Sequence, residues 1–406
     1  MYTHLHNTHT HTHTHTHTHT HTQVLEHYGA SLKHGHKHIF QSLPRLLTLW
    51  FECTGDRVDT DGKKRMCAVI DRLSRELPSY IWLTVYPQLI SRICHNNSQV
   101  LNILKRIISS VLASHPRQAL WALASVIRSR ETSRQTPAQD ILAQLSQPDA
   151  FKDRGGRAAF ENFTAAKRAF LGSEDIRGGF AGELVNLCKI TCGKDSSQSK
   201  KQVYTMSKDC RNVVRLVREA PNQVLMPIEA MLVPSLPRDG RTRKDHNPFP
   251  TEDIYIKDFD DKIDVMQSMM SPVKVIFNGS DGKQYKFLAK PKDDLRKDTR
   301  MMEFNTMINR LLLKDADARR RKLHLRTFTV IPMNESTGII QWVDNTEVFR
   351  AIIDKQVVKL MPKNYHSTNY ARTFFKNQPE GLITLDGFKV QIFKTQLHSA
   401  AIWEAS

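Results

Sequence analysis

The run Phe287-Leu-Ala-Lys-Pro-Lys-Asp-Asp-Leu-Arg-Lys-Asp298 decides how this chain reads. A short apolar strand delivers Lys290, the chain breaks at Pro291, and a charged segment with apolar residues on one side follows. Proline cannot donate to a strand ladder and suits the first turn of a helix, so the break predicts a strand-to-helix junction with the lysine at its tip.

Working outward, Val273–Phe277 and Gln284–Ala289 read as strands joined by the turn-rich Asn278-Gly-Ser-Asp-Gly282. Asp293–Lys314 is expected to be helical, with Met301, Phe304, Ile308, Leu311 and Leu312 on one face. Thr327–Pro332 and Gly338–Val343 are expected as two further strands about the turn Met333–Thr337. The predicted order is β-β-α-β-β, that of a kinase small lobe.

Upstream the periodicity is helical. Val100, Ile103, Leu104, Ile107, Ile108, Val111 and Leu112 recur at three and four residues, His115-Pro116-Arg117 turns the chain, and Leu120, Leu123, Ala124 and Ile127 start a second stripe. Comparable apolar segments lie at Phe40–Phe51, Met66–Leu77, Ile81–Cys94 and Val213–Met231, which predicts stacked antiparallel helix pairs. Residues 131–200, with Gly155-Gly156, Gly178-Gly179 and the polar run Lys194–Lys201, are read as loops between shorter helices. The proline-rich, basic stretch Pro234–Pro250 marks the expected boundary. The fold class is therefore α+β: a mostly α-helical solenoid, then an antiparallel sheet with one long helix.

The first 22 residues are nearly pure His-Thr alternation and hold nine of the 19 histidines. A CA dinucleotide repeat translates to that pattern, so the tract is expected to lie outside the fold. With 59 Lys+Arg against 41 Asp+Glu the chain favours acidic partners. Six cysteines without a CxxC pair point to reduced thiols and to no metal site. No apolar run approaches the roughly 18 residues of a membrane span, and no membrane partner is expected.

Phosphoryl transfer needs a cation on the nucleotide phosphates, commonly a strand lysine held by a helix carboxylate, and a hinge strand for the base. Lys290, Asp298 and Gln341-Trp342-Val343 fall in that order. Gly279-Ser-Asp-Gly-Lys-Gln284 is too short for a Walker loop and reads as a hairpin turn.

At Gly279-Ser-Asp-Gly-Lys283, Lys290-Pro-Lys-Asp-Asp-Leu-Arg-Lys-Asp298, Met302-Glu-Phe-Asn305 and Gly338-Ile-Ile-Gln-Trp-Val343 the sequence closely resembles the phosphatidylinositol 3-kinase-related protein kinases. Lys290-Pro-Lys-Asp-Asp294, Arg319-Arg-Arg321 and Trp342-Val-Asp-Asn-Thr346 are most similar to the ATR-like checkpoint branch. Upstream, Tyr28-Gly-Ala-Ser-Leu32, Gln41–Trp50 and Leu89–His95 resemble the end of that family's FAT helical region. Pro248-Phe-Pro250 and Phe259-Asp-Asp261 resemble the opening of its kinase domain.

The resemblance implies that Lys290 contacts ATP phosphates, that Asp298 orients it, that Ser268 to Pro272 form the phosphate-covering loop and that Trp342 and Val343 line the adenine hinge. It also implies a nuclear serine/threonine protein kinase of DNA-damage and replication-stress signalling, using ATP and magnesium. Protein substrates, a recruitment partner and, indirectly, DNA would be its partners.

The expected division is 1–22 low-complexity tract, 23–235 FAT-like helical region, 236–355 linker and small lobe, and 356–406 an unrelated or mis-joined tail. The family's Gly-Asp-Arg-His loop with its magnesium-binding Asn, and its Asp-Phe-Gly motif, are not found in the 406 residues; Leu385-Asp-Gly-Phe388 differs in order and context. The expectation is thus a fragment that carries the nucleotide lobe without catalytic or metal ligands. The competing reading is a non-enzymatic helical scaffold whose basic surface binds nucleic acid or an acidic partner. It draws on the 15 Lys+Arg against 7 Asp+Glu between Ser271 and Val330.

Overall fold

The computed structural model describes residues 20–54, 60–172, 178–192, 203–266, 268 and 270–347. The bulk of the His-Thr tract, the polar run Lys194–Lys201 and the expected tail from 356 fall outside the described residues, while Thr20–Thr22 begin the first helix. The chain divides into two compact units, Met1–Trp342 and Val343–Ser406.

Ten helices precede the sheet within the described residues: α1 (20–34), α2 (Ile39–Cys53), α3 (Thr60–Glu76), α4 (Ser79–Leu83), α5 (Tyr86–Ser91), α6 (Ser98–Ser114), α7 (Pro116–Ile127), α8 (Thr132–Leu145), α9 (Gly156–Leu171) and α10 (Phe180–Cys188). The α6–α7 hairpin follows the predicted stripe. Asn97 caps α6 by accepting the Gln99 and Val100 N–H groups at 3.0 and 3.2 Å, and Pro116 opens α7 at a position that needs no N–H. All eleven stripe residues from Val100 to Ile127 are buried.

Three helical expectations are revised. Ile81–Cys94 is two short helices, because Thr84 closes α4 and Pro87 reopens the chain in α5. Val213–Met231 breaks after Glu219 at Ala220-Pro-Asn222, where Asn222 takes a positive φ of 58°. Residues 131–192 are more helical than their glycines suggested: Gly155 (φ 94°) caps α9, and Gly179 lies so close to the Leu171 backbone that a Cβ would overlap it.

Seven antiparallel strands make the sheet: β1 (Tyr204–Thr205), β2 (Ile256–Phe259), β3 (Lys262–Val265), β4 (Val273–Gly279), β5 (Gln284–Pro291), β6 (Val330–Pro332) and β7 (Thr337–Gln341). Their order is β1-β3-β4-β5-β7-β6, with β2 also on β4. The predicted β-β-α-β-β unit is present as β4, β5, the lobe helix Arg296–Leu312, β6 and β7. Strands β1 to β3 add to it.

One face of the sheet is closed. Val273, Val275, Phe277, Phe287 and Ala289 are buried against the helical array, and the hydrophobic core runs without interruption from Leu25 to Ile339. The linker expected near residue 235 does not divide that core. The lobe helix packs otherwise than its stripe suggested: Met301, Phe304 and Leu311 are about half exposed, and the residue it buries is Asn309. Asn309 grips the extended chain ahead of β6, accepting the Leu325 N–H and donating to its carbonyl, both at 2.7 Å.

Candidate nucleotide face of the small lobe

Strand alternation sets the open face. Phe287 and Ala289 point into the core, so Lys286, Leu288 and Lys290 point away from it. Cross-strand partners share a side: Lys274 and Ile340 flank Leu288, Ile276 faces Lys286, and Gly338 faces Lys290. Trp342 extends the same row, its N–H donating to the Lys286 carbonyl at 2.8 Å and its ring lying 4.7 Å beneath Lys274 Nζ.

The face thus carries an apolar strip, Ile276, Leu288 and Ile340, between an aromatic ring at one end and Lys290 at the other. Trp342 lies four residue steps along the chain from Gly338, which is opposite Lys290, a distance of about 14 Å. Three lysines border the strip. Such a surface suits a flat, apolar base at the tryptophan end and an anion at the Lys290 end.

Lys290 Nζ donates to Asp293 Oδ2 at 3.1 Å, with both side chains partly exposed. Asp298, the expected partner, lies exposed in the first turn of the lobe helix, and no ion pair joins it to Lys290 among the described residues. Asp293 is placed by its own backbone, whose N–H donates to the Ser336 carbonyl at 3.0 Å. The next carboxylate, Asp294, is held by Arg296 through two side-chain hydrogen bonds of 2.8 and 2.7 Å, which keep it below the usual carboxylate range.

The loop between β3 and β4 stands at the Lys290 end, because Val273 pairs with Ala289. Ser268 is exposed there and accepts the Ser271 N–H at 3.2 Å, while Pro272 is buried. Ser271 takes a φ of 43°, and its carbonyl accepts the Thr191 hydroxyl at 2.9 Å. Val343 begins the second compact unit, of which 343–347 are described.

The structure therefore brings together Lys290, Trp342 and the loop from Ser268 to Pro272, and adds Asp293, Leu288, Ile276, Ile340 and Lys274. The strand alternation could have singled out the apolar three. Asp293 was visible in Lys-Pro-Lys-Asp-Asp, but only the turn at Pro291 shows that the nearer carboxylate reaches the amine.

Comparison with known proteins bears on the chain's family and fold. Residues 65–163 match the family description "Serine/threonine-protein kinase ATR-like, HEAT repeats", and residues 284–395 match "Phosphatidylinositol 3- and 4-kinase". The second match runs through most of the segment expected to be an unrelated tail. Serine/threonine-protein kinase ATR of Oryza sativa subsp. indica is 38% identical over 344 residues, covering 81% of this chain and 12% of that protein.

The chain belongs to the ATR family of kinases.

Other ATR-family relatives include protein kinase rad3 of Schizosaccharomyces pombe, 34% identical over 88% of this chain and 15% of its own length. Serine/threonine-protein kinase ATR of Drosophila melanogaster is 31% identical over 81% of the chain and 13% of its own length. The chain spans only about an eighth of these relatives. Among solved structures, the FAT and kinase domain of CtTel1 superposes with a TM-score of 0.67 at 19% identity, covering 90% of this chain and 23% of that one, which establishes the shared fold. The described residues form a helical repeat region followed by the antiparallel sheet of a kinase small lobe.

Proposed function

We propose that this chain is the part of an ATR-like serine/threonine protein kinase in which the helical array meets the nucleotide-binding lobe, and that its open sheet face binds ATP. The observation that supports this reading is the Lys290–Asp293 pair at one end of an apolar strip that ends in Trp342. Lys290 would hold the phosphates, Leu288, Ile276 and Ile340 would cover the base, and Trp342 would form its edge. Ser268 to Pro272 would close over the phosphates.

In the whole kinase the γ-phosphate of ATP would pass to serine or threonine of protein substrates, in nuclear DNA-damage and replication-stress signalling, with a recruitment partner linking the kinase to DNA. Magnesium would neutralise the phosphates there. Among the described residues no three His, Cys, Asp or Glu side chains converge to hold a metal, so no step is assigned to magnesium on this chain. The chain's own contribution is to bind and orient the nucleotide.

Trp342 provides the test. Trp50, Trp82 and Trp121 are fully buried, so in a Trp403→Phe background quenching of tryptophan emission by ATP reports Trp342. ATP is expected to quench it saturably, and Lys290→Ala to weaken binding about tenfold or more, the scale of a lost charge-assisted phosphate contact. Absence of saturable quenching, or K290A binding like the wild type, refutes the reading. Steeply salt-dependent DNA binding without ATP binding would instead favour the basic scaffold.

A further inference from the structure

Among the described residues, the hydrogen-bonded contacts that join the helical array to the back of the nucleotide face include three. Cys188 Sγ, at the end of α10, contacts the carbonyl of Gly338, the residue opposite Lys290, at 3.5 Å. Thr191 holds the Ser271 carbonyl of the β3–β4 loop at 2.9 Å. The third contact leads to the lysine itself.

At the end of α7 the Ser129 hydroxyl donates to Glu335 Oε1 and the Arg130 N–H donates to Oε2 at 3.4 Å. Glu335 stands in the β6–β7 turn, directly before Ser336, whose carbonyl accepts the Asp293 N–H at 3.0 Å. Asp293 then accepts the Lys290 amine at 3.1 Å. Every link in this path, from the residues just after α7 to the lysine, is a hydrogen bond or a stretch of covalent chain.

Two features make this a lever rather than a string of surface bonds. The β6–β7 turn is cross-braced: Asn334 Oδ1 accepts the Ser336 N–H at 2.8 Å, the Ser336 hydroxyl at 3.2 Å and the Thr337 hydroxyl at 3.0 Å. It therefore moves as one body. In addition Lys292, between Lys290 and Asp293, sits at a φ of 52°. That left-handed conformation costs a non-glycine residue free energy and persists only where the surroundings impose it. The adjoining constraint here is the Ser336 clamp on Asp293. If the turn shifts, Lys292 can relax and carry Asp293 away from the amine.

We propose that Glu335 is a positioning residue for Lys290, through which the helical array sets the strength of nucleotide binding. The proposal rests on the nucleotide reading of the open face. It predicts that movement of the α7 end is felt at the phosphate position without any change in the residues touching ATP.

The test compares the wild-type chain with Glu335→Ala, Glu335→Gln and Ser129→Ala, alone and combined with Asp293→Asn. Two quantities are read: the ATP dissociation constant, and the rate at which acetic anhydride modifies Lys290 relative to Lys274, followed by mass spectrometry. Near-ultraviolet circular dichroism checks that each variant keeps its packing. E335A is expected to raise Lys290 acetylation severalfold and weaken ATP binding about tenfold, within the range for residues sharing one hydrogen-bond network. E335Q, which keeps the acceptor for Ser129 but not the one for Arg130, should fall between. Both effects should vanish in the Asp293→Asn background, because a positioning residue has nothing left to position.

A folded E335A with wild-type Lys290 reactivity and ATP affinity overturns the proposal. So does an E335A effect that persists undiminished beside Asp293→Asn, which would mark general loosening. If the wild type binds no ATP, the nucleotide reading falls and control of affinity falls with it; a rise in Lys290 reactivity in E335A would then still establish the mechanical connection.

Discussion

Lys290 is paired with Asp293, three residues along its own chain, and not with Asp298 in the first turn of the lobe helix. The amine is thus held before any ligand arrives, by a carboxylate fixed from its backbone. Asp293→Asn should weaken ATP binding about three- to tenfold, since a partly exposed pair contributes about 1 kcal/mol and its loss also frees the lysine. Asp298→Asn should change affinity less than twofold. Titration of both variants by Trp342 quenching checks this, and a larger effect at Asp298 would show that the lysine changes partner on binding.

Asn309 bonds both backbone groups of Leu325 from within the lobe helix. Replacing it by leucine fills the space but orphans a donor and an acceptor, which costs about 2 to 4 kcal/mol. The urea midpoint of N309L should fall accordingly, whereas Met301→Ala or Phe304→Ala on the exposed side should each change the unfolding free energy by under about 1 kcal/mol.

Burial pushes the His115 imidazole down to about 4 from its ordinary 6.5; its Nε2 meets the Ser79 hydroxyl at 3.2 Å and its ring meets the edge of Phe249. As pH falls, the unfolded chain takes up the proton first. The stability that neutral His115 contributes is complete above about pH 6.5 and is lost as pH drops toward 4, amounting to about 3 kcal/mol. His115→Gln should flatten the fall in urea-derived stability across that window.

Burial likewise pushes the Cys188 thiol up to about 12, while Cys94 is exposed. At pH 8 a thiol reagent should modify Cys94 within minutes and Cys188 only on unfolding. Early loss of Cys188 would show that the α10–β7 contact opens readily.

Much of this was legible in the residues. The β4–β5 hairpin, the lobe helix and the α6–α7 pair follow from periodicity and turn chemistry, because those elements are specified locally. Lys262 to Val265 also alternates after the Asp260-Asp261 turn and could have been read as β3, whereas the irregular register of β2 between Ile256 and Asp258 hides its period. The side of the lobe helix that faces inward could not: its apolar stripe points outward, and only the packed structure shows that Asn309 satisfies a passing strand. Glu335 was equally hidden, since its partners lie some 205 residues away. Contacts at that separation carry no periodic signature.

The uninterrupted core from Leu25 to Ile339 has a thermodynamic corollary. Helices and sheet share one interior, so neither has a private reserve of buried surface with which to melt later than the other. Heating should give a single calorimetric peak for the first compact unit, with equal calorimetric and van't Hoff enthalpies. A piece cut at residue 236 would expose the underside of the sheet and should fail to show a transition of its own.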